Sequence, residues 1–276
     1  MRKRGFLKIG RQDQHASAIS TSNAETILVR GRSLTEELMG KVSFTELVWL
    51  LVTGEMPTVA QRTVLDSTLV AIAEHGLVPS VQVSRMTLAA APEALQGAVA
   101  AGILGCGSVV LGSSEAAGRF FAEVAAHAGK PAGLEAAIDE VVGEYRAARR
   151  AIPGYGHPLH KGQDPRAQRL LQIARSAGLA GRHIEIAARI EQRLPQLVGR
   201  PLALNVSGGI PAVLLDAGYP LAALKGVPLL ARTAGLIGHL LEEQQRGIGF
   251  VMSHAAARAI DYDGECPAGF TPSEDA

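Results

Sequence analysis

The sequence predicts an all-α protein, because three features favour helices along the whole chain. Alanine and leucine are abundant, aromatic residues make up only 4% of the 276 residues, and stretches that alternate apolar and polar residues are scarce. Hydrophobic residues make up 47% of the chain. This content is enough for the core of one large domain or of two small ones.

Helix starts are marked by hydrogen-bonding side chains at regular spacings. Ser33 with Glu36, and Ser43 with Glu46, have the spacing of a capping box, and the stretch 58–61 (TVAQ) follows the turn TGEMP. Asp164 before a proline predicts an N-cap for the helix RAQRLLQIARSAG. Further helices are expected from Ser113 or Ser114 onward and at about 133–150, 181–194, 208–217 and 226–246. The tail from Gly264 is expected to be loose.

Charge and cysteine content exclude several classes of protein. The formal net charge is +1 and no block of like charges occurs, so no nucleic-acid partner is expected. The two cysteines, Cys106 and Cys266, are far apart, so we expect no disulfide framework and a reducing cytoplasmic location. The basic start, MRKRGFLKIG, lacks the apolar core of a signal peptide, and no export is expected.

The stretch 94–114 carries no charge and is long enough to span a bilayer. It holds five glycines, and Glu93 and Glu115 bound it. We interpret it as a buried helix, broken or tightly packed at its glycines, and expect no membrane partner. Its small residues would let another helix approach closely, as in a subunit interface.

A polar, glycine-rich loop, GYGHPLHKGQDPR at residues 154–166, lies between two predicted helices. Two glycines shortly before His157 would let the backbone approach a ligand closely. His160, Lys161 and Arg166 add hydrogen-bond donors, and amides at the start of the next helix favour an anion. Two interpretations stay open: a carboxylate or phosphate grip centred on His157, or a solvated, well-capped loop.

A second cluster lies on the predicted helix ARTAGLIGHLLEEQQRG at residues 231–247. Arg232, Gly235 and His239 fall on one face of this helix. If the arginine and the histidine are buried, they need partners. A ligand carboxylate is one candidate, but a salt bridge to a nearby acid is favoured on these residues alone.

A third cluster, LNVSGGIPAVLLDAG at residues 204–218, places Ser207 next to two glycines. The pattern is not GxSxG, so an N-cap serine is favoured over a nucleophile. Cys106 is expected to be a small buried residue. The sequence holds no metal-ligand spacing and no Walker or Rossmann signature, and no metal is expected. The residues thus predict a helical, anion-binding enzyme without naming its reaction.

In chain order, these clusters resemble motifs of the citrate synthase superfamily, above all of its short citryl-CoA lyase-like members and of the related module of ATP citrate lyase. GYGHPLHKGQDPRAQRL resembles the motif G-[FYI]-G-H-x(4,5)-DPR, and LALNVSGGIPAVLLDAG resembles NVD-G. ARTAGLIGHLLEEQQRG resembles the late R-x-x-G-x-x-x-H helix, and ILVRGRSLTEELMGKVSFTELVWLLVTGEMPT resembles an early RGY…SF-E…GELP segment. The resemblance covers about residues 20–262.

This resemblance implies a citrate synthase-like, two-domain helical fold that forms a homodimer or higher homo-oligomer. The large domain would comprise residues 1–112 and 213–276, and the small domain residues 113–212. The active site would lie in the cleft between them, and the helix at 94–112 would lie in the dimer core.

The resemblance also implies carbon–carbon bond formation or cleavage between an acyl-CoA, such as acetyl-CoA, and an oxo acid, such as oxaloacetate. The coenzyme A thioester would be a substrate, and no tightly bound cofactor is expected. His157 matches the histidine that polarises the oxo-acid carbonyl, and Lys161 lies where coenzyme A is held. The positions matched to substrate binding are Arg166, Arg232, His239 and His160.

Two positions depart from the family pattern. Ser207 stands where the motif has the aspartate that removes a proton from acetyl-CoA, and Val110 stands where a histidine stabilises the enol. A serine hydroxyl without an activating partner is far too weak a base for that step. Three hypotheses follow: an enzyme of the family type; a degenerate paralogue that binds CoA thioesters or di- and tricarboxylates, with an active homologue in a hetero-oligomer; and a thioester hydrolase using Ser207 or Cys106.

Overall fold

The computed structural model describes residues 16–107, 109, 111–129, 133–156 and 162–270. The chain divides into two compact units, residues 1–62 and 63–276. The predicted division into a large domain of 1–112 with 213–276 and a small domain of 113–212 stays a prediction.

The first unit contains a three-stranded antiparallel sheet, which the sequence did not predict. Its strands are β1 Ser20–Ser22, β2 Ile27–Val29 and β3 Arg32–Ser33. Arg30 and Gly31, with φ of 49° and 78°, make the two-residue turn between β2 and β3. Each strand has only two or three residues, so none is long enough to show an alternating pattern.

Two predicted caps in the first unit have different outcomes. Ser43 forms the expected capping box with Glu46 at the start of α1, Phe44–Thr53. Ser33 also accepts a hydrogen bond from the Glu36 amide at 3.2 Å, but its own amide donates to Glu37 at 2.7 Å. The expected capping box at Ser33 and Glu36 is therefore wrong, and a π-helical turn, Leu34–Leu38, follows instead.

Most of the remaining helices follow the sequence prediction closely, whereas those at Pro79–Ala90 and Gly249–Arg258 were not predicted. The remaining helices are α2 Val59–Ala73, α3 Pro79–Ala90, α4 Leu95–Leu104, α5 Ser113–His127, α6 Gly133–Ala147, α7 Pro165–Ser176, α8 Arg182–Val198, α9 Val206–Asp216, α10 Gly226–Gln245 and α11 Gly249–Arg258, with a 3₁₀ turn at Leu221–Ala223. At the predicted start of α2, Thr58 and Gln61 exchange cap hydrogen bonds, and Asp164 caps α7 as predicted.

Helix α9 is the centre of the core of the second unit. Apart from Ser207, every residue from its start to Leu214 is buried, and α5, α7 and α8 pack around it. Helices α3, α4, α10 and α11 pack on one another in a separate group. At the end of α9, the buried Asp216 carboxylate accepts hydrogen bonds from the amides of Gly181, His183 and Ile184 and thereby caps α8.

The uncharged stretch at 94–114 departs from its prediction. Helix α4 ends at Leu104, and only Ala98 and Gly102 are buried in it. A side chain at Gly102 would meet Leu236 of α10 at 2.7 Å, so a close helix contact is present at this glycine. Leu104 is 86% exposed. The predicted buried helix is therefore shorter and more exposed than expected.

One helical stretch among the described residues, Leu221–Gln245, is long and apolar enough to cross a membrane by length and composition alone. Core helices of soluble proteins pass the same test. This stretch carries the buried charged residues Arg232 and Glu243.

Candidate functional site

The three sequence clusters meet at one cavity in the second unit, with a volume of about 470 Å³. Residues 154–156 of the glycine-rich loop line it, together with Arg166, Ser207 and Arg232. Much of the remaining wall is apolar. The walls thus place two guanidinium groups in a largely apolar recess, an arrangement typical of a small-molecule site.

The glycine-rich loop is held against the start of α9 by main-chain hydrogen bonds. The Asn205 amide donates to the Gly154 carbonyl at 2.9 Å, and the Gly156 amide donates to the Ala203 carbonyl at 2.8 Å. The Asn205 side chain donates to the Gly156 carbonyl at 2.6 Å. These bonds fix the backbone directly before residue 157. Buried Tyr155 adds a bond from its hydroxyl to the Ala187 carbonyl of α8.

Asp164 fixes the guanidinium of Arg166. Its carboxylate accepts bonds from Arg166 Nε at 3.1 Å and Nη2 at 3.0 Å, and also from the Val206 amide at 2.9 Å. Burial raises the pKa of Asp164, but the bonds from Arg166 and Val206 outweigh burial and lower it overall. The buried Asp164 carboxylate therefore links the Arg166 guanidinium of α7 to Val206, the first residue of α9.

Arg232 is the least satisfied charged group of the site. The residue is only 3% exposed, and its Nε and Nη1 atoms have no hydrogen-bond partner within the described residues. Burial lowers the pKa of Arg232, although Glu74 and Cys106 oppose this effect. A buried guanidinium with unused donors is costly unless an anion satisfies it. The salt bridge that the sequence favoured for this arginine is absent from the described part of the chain.

His239 lies on the same helix, but it does not line the cavity. Its Nε2 is 2.9 Å from Glu74 Oε2, and its Nδ1 is 3.4 Å from Nη1 of buried Arg85. Arg85 in turn pairs with Glu242 and Glu243. His239 thus pairs with a nearby acid, Glu74, which is the kind of partner that the sequence favoured. Its predicted role in substrate binding stays a prediction.

Ser207 is not the N-cap that the sequence favoured. Asn205 caps α9, because its side chain accepts from the Gly208 amide, and Ser207 is the second residue of the helix. Ser207 Oγ instead accepts a hydrogen bond from Ser113 Oγ at 2.8 Å. Cys106 is buried as predicted, and burial raises the pKa of its thiol. Among the described residues, neither Ser207 nor Cys106 has a basic partner of the kind that activates the nucleophile of a thioester hydrolase.

The family model described as "Citrate synthase, C-terminal domain" matches residues 59–249, which include every described residue of the cavity. The chain belongs to the citrate synthase family. A protein of Mycobacterium tuberculosis named "Putative citrate synthase 2" is 26% identical over 198 residues, or 66% of this chain and 48% of that protein. The chain therefore spans about half the length of the curated relatives it matches.

Solved structures give likenesses over more of the chain. The citryl-CoA lyase from Hydrogenobacter thermophilus is 30% identical, with a TM-score of 0.81, and the match covers 93% of this chain and 97% of that chain. The ATP citrate lyase from Methanothrix soehngenii, solved with citrate and coenzyme A, is 24% identical, with a TM-score of 0.70 over 96% of this chain and 43% of that chain. The mostly helical citrate synthase-like fold predicted from the sequence is thus confirmed.

Four predicted site residues of this citrate synthase family member lie outside the described residues: His157, His160, Lys161 and Val110. Their roles stay predictions. The described loop ends at Gly156, which lines the cavity. Within the described ranges, no group of three or more His, Cys, Asp or Glu side chains has the arrangement of a metal site.

The sequence reasoning missed three residues of the site. His75 lines the cavity from the turn between α2 and α3, and a lone histidine in a turn carries no pattern that would reveal it. Asp164 was read only as a helix cap, and Ser113 only as a helix start. The signal for Asp164 is its spacing, because an acid two residues before Arg166 is within reach of its guanidinium.

Proposed function

We propose that this protein is a citryl-CoA lyase-like enzyme that cleaves a carbon–carbon bond in a CoA thioester of a tricarboxylate. Acetyl-CoA and oxaloacetate would be the products. The observation that carries this proposal is buried Arg232, whose Nε and Nη1 lack partners among the described residues while the side chain lines the cavity. A ligand carboxylate would supply the negative charge that this buried guanidinium lacks among the described residues.

The chemistry of the cavity supports a ligand with several carboxylates. Arg166 supplies a second guanidinium, held in place by Asp164, and His75 adds an imidazole. The apolar remainder of the wall excludes water and strengthens these electrostatic interactions. The structural likeness to a citryl-CoA lyase over nearly the full length of both chains favours the same ligand class.

Cleavage would convert citryl-CoA into oxaloacetate and acetyl-CoA in three steps. A base, for which His157 is the predicted candidate, takes the proton of the tertiary hydroxyl group. The bond between the hydroxyl-bearing carbon and the α-carbon of the thioester breaks, the former becomes the ketone of oxaloacetate, and the electron pair passes to the thioester as an enolate. Protonation of the enolate at carbon then gives acetyl-CoA.

Ser207 lacks the base that proton transfer at the α-carbon would use in either direction. Condensation must begin with removal of a weakly acidic C–H proton, which requires a positioned base. Ser207 is bonded to another hydroxyl group and is no such base. In the cleavage direction the enolate must instead gain a proton at carbon, which water can supply. Since both directions pass through the same steps, the proposed direction of cleavage rests on the likeness to a citryl-CoA lyase.

A binding protein is the second candidate function. The same pairing of Ser207 with Ser113, rather than with a basic group, is what a degenerate paralogue would show. Such a protein would bind citrate or CoA thioesters through Arg232 and Arg166 and would not turn them over. Partnership with an active homologue would then give the binding a purpose.

A coupled assay separates the two functions. Purified protein is mixed with citryl-CoA, and released oxaloacetate is followed by its reduction with NADH and malate dehydrogenase. We expect oxaloacetate to be released, and expect the Arg232→Met variant to release at least a hundredfold less. Tight binding of citryl-CoA without release of oxaloacetate would assign the binding function instead.

We also expect a homodimer or a higher homo-oligomer in the cytoplasm, with coenzyme A thioesters as exchangeable substrates. Ile237 and Leu241 of α10 are 54% and 56% exposed, and Leu104 of α4 is exposed on a neighbouring helix. Apolar side chains on packed helices of this kind favour contact with another subunit. Light scattering coupled to size exclusion measures the assembly directly.

A further inference from the structure

Two serine side chains from distant parts of the chain form a hydrogen-bonded pair in the wall of the cavity. Ser113 is the first residue of α5, and Ser207 is the second residue of α9, 94 positions later. Ser113 Oγ donates to Ser207 Oγ at 2.8 Å. Both residues line the cavity that Arg232 also lines.

The direction of this bond determines what the pair offers to a ligand. A serine hydroxyl group carries one proton and can accept up to two hydrogen bonds. Ser113 donates its hydroxyl proton to Ser207, so Ser207 Oγ already accepts one hydrogen bond. The proton of Ser207 itself has no acceptor within the part of the chain that the structure describes. Polarisation by Ser113 makes Ser207 a better donor, because hydrogen bonds in a chain strengthen one another.

The start of α5 provides further donors at the same place. Its N-cap residue, Gly112, has no side chain that could accept a hydrogen bond from the first turn. The first amides of a helix have no partners within the helix and attract negative charge. Since Ser113 and Ser114 both line the cavity, this helix end lies at the same recess as Arg232, whose Nε and Nη1 lack partners in the described ranges.

We propose that Ser207, polarised by Ser113 and joined by the first amides of α5, binds an anionic oxygen of the ligand. This inference rests on the proposed function. It assigns to Ser207 a task opposite to that of the aspartate in the family motif. An aspartate there would accept a proton from carbon and would repel an anionic oxygen, whereas the serine pair donates to that oxygen and carries no charge.

The bound oxygen is anionic in either of two places on the ligand. It is either a carboxylate oxygen of the tricarboxylate or the oxygen that becomes negative on the thioester when the enolate forms. In the second case the pair would stabilise the charge that develops during cleavage. Ser207 is then the binding group, and Ser113 is a positioning residue that acts through it.

Calorimetric titration with three probes tests the proposal. Citrate and oxaloacetate carry carboxylates without coenzyme A, and carboxymethyl-CoA places a carboxylate where the thioester enolate would be. We expect Ser207→Ala to weaken binding of at least one probe about tenfold or more. A loss confined to the two free acids assigns a ligand carboxylate, and a loss confined to carboxymethyl-CoA assigns the thioester oxygen.

The role of Ser113 is tested by a double-mutant cycle. Ser113→Ala should weaken the same probe about threefold to tenfold, Ser113→Thr should restore binding because it keeps the hydroxyl group, and Ser113→Ala should have no effect in the Ser207→Ala background. A merely structural role would persist in that background. Ser253→Ala, at an exposed serine, is the matched control, and melting temperatures confirm that each variant folds.

The outcomes distinguish this inference from the proposed function. If Arg232→Met loses citrate binding while Ser207→Ala binds all three probes as tightly as the natural protein, the serine site is overturned and the proposed function stands. If the natural protein binds none of the probes, both are overturned.

Discussion

Gly154 and Gly208 approach so closely that neither has room for a side chain. A Cβ atom at Gly154 would lie 2.8 Å from the Cα of Gly208, and one at Gly208 would lie 2.6 Å from the Gly154 carbonyl oxygen. The φ of Gly154 is also +85°, in the left-handed region. This contact holds the loop before residue 157 against α9, and so joins two of the three site clusters.

Gly154→Ala is therefore expected to destabilise the protein by about 2–4 kcal/mol, because it adds a clash to the strain of a left-handed backbone. Gly178→Ala is the matched control, since Gly178 has a φ of +72° but nothing within 4 Å of its Cβ position. It should lose only about 1–2 kcal/mol. Urea unfolding measures both, and equal losses would mean that the contact with Gly208 contributes nothing.

Arg232→Met is expected to leave the protein equally stable or to stabilise it by up to about 3 kcal/mol, because it removes a buried guanidinium whose Nε and Nη1 have no partner among the described residues. Arg85→Met should instead destabilise the protein. Arg85 is equally buried, but it pairs with buried Glu243, so its loss should cost about 3–5 kcal/mol. Thermal unfolding of both variants checks the contrast. A strong destabilisation by Arg232→Met would show that Arg232 has a partner within the protein.

How far the sequence predicted these features depends on the separation of the residues involved. The caps at Ser43 and Asp164 and the helix start at Thr58 were predicted correctly, because cap and helix are neighbours in the chain. The pairing of Ser113 with Ser207 could not be predicted, because it arises only when α5 and α9 pack together.

The two basic residues singled out on α10 show the same limit. The helical period correctly placed Arg232 and His239 on one helix, but it could not tell which of them would meet an acid. Glu74, at the end of α2, pairs with His239 and leaves Nε and Nη1 of Arg232 without partners among the described residues. That asymmetry depends on how α2 ends, which local patterns do not encode.

Acid should weaken the junction between α8 and α9. Burial raises the pKa of Asp216, but bonds from the His183 side chain and from three amides outweigh burial and lower it overall. A lowered pKa means that the stabilisation is present above the ordinary carboxyl pKa of about 4 and is lost as the pH falls through the folded-state value.

Asp216→Asn removes this contribution. We expect the difference in free energy of unfolding between the natural protein and Asp216→Asn to be largest near pH 7 and to shrink as the pH falls from about 4 to 3. Denaturant unfolding over this range measures it, with Asp261→Asn, at an exposed position, as the control. A difference that stays constant down to pH 3 would contradict the role of the Asp216 carboxylate.

Restoring the family's proton-abstracting groups should create an activity that the natural protein lacks. Ser207→Asp, combined with Val110→His, is expected to raise the rate at which the methyl protons of acetyl-CoA exchange with deuterated water by about 10²-fold or more. NMR follows the exchange, and Ser207→Ala with Val110→His is the control without the base. No gain would indicate that the cavity has diverged beyond the loss of two side chains.

A crystal structure of the protein with citrate shows most directly whether a ligand carboxylate compensates the buried guanidinium of Arg232. We expect a citrate carboxylate in the cavity within about 3 Å of one of the guanidinium nitrogens of Arg232. A structure in which those nitrogens pair with a side chain of the protein, while citrate at saturating concentration stays out of the cavity, would contradict it.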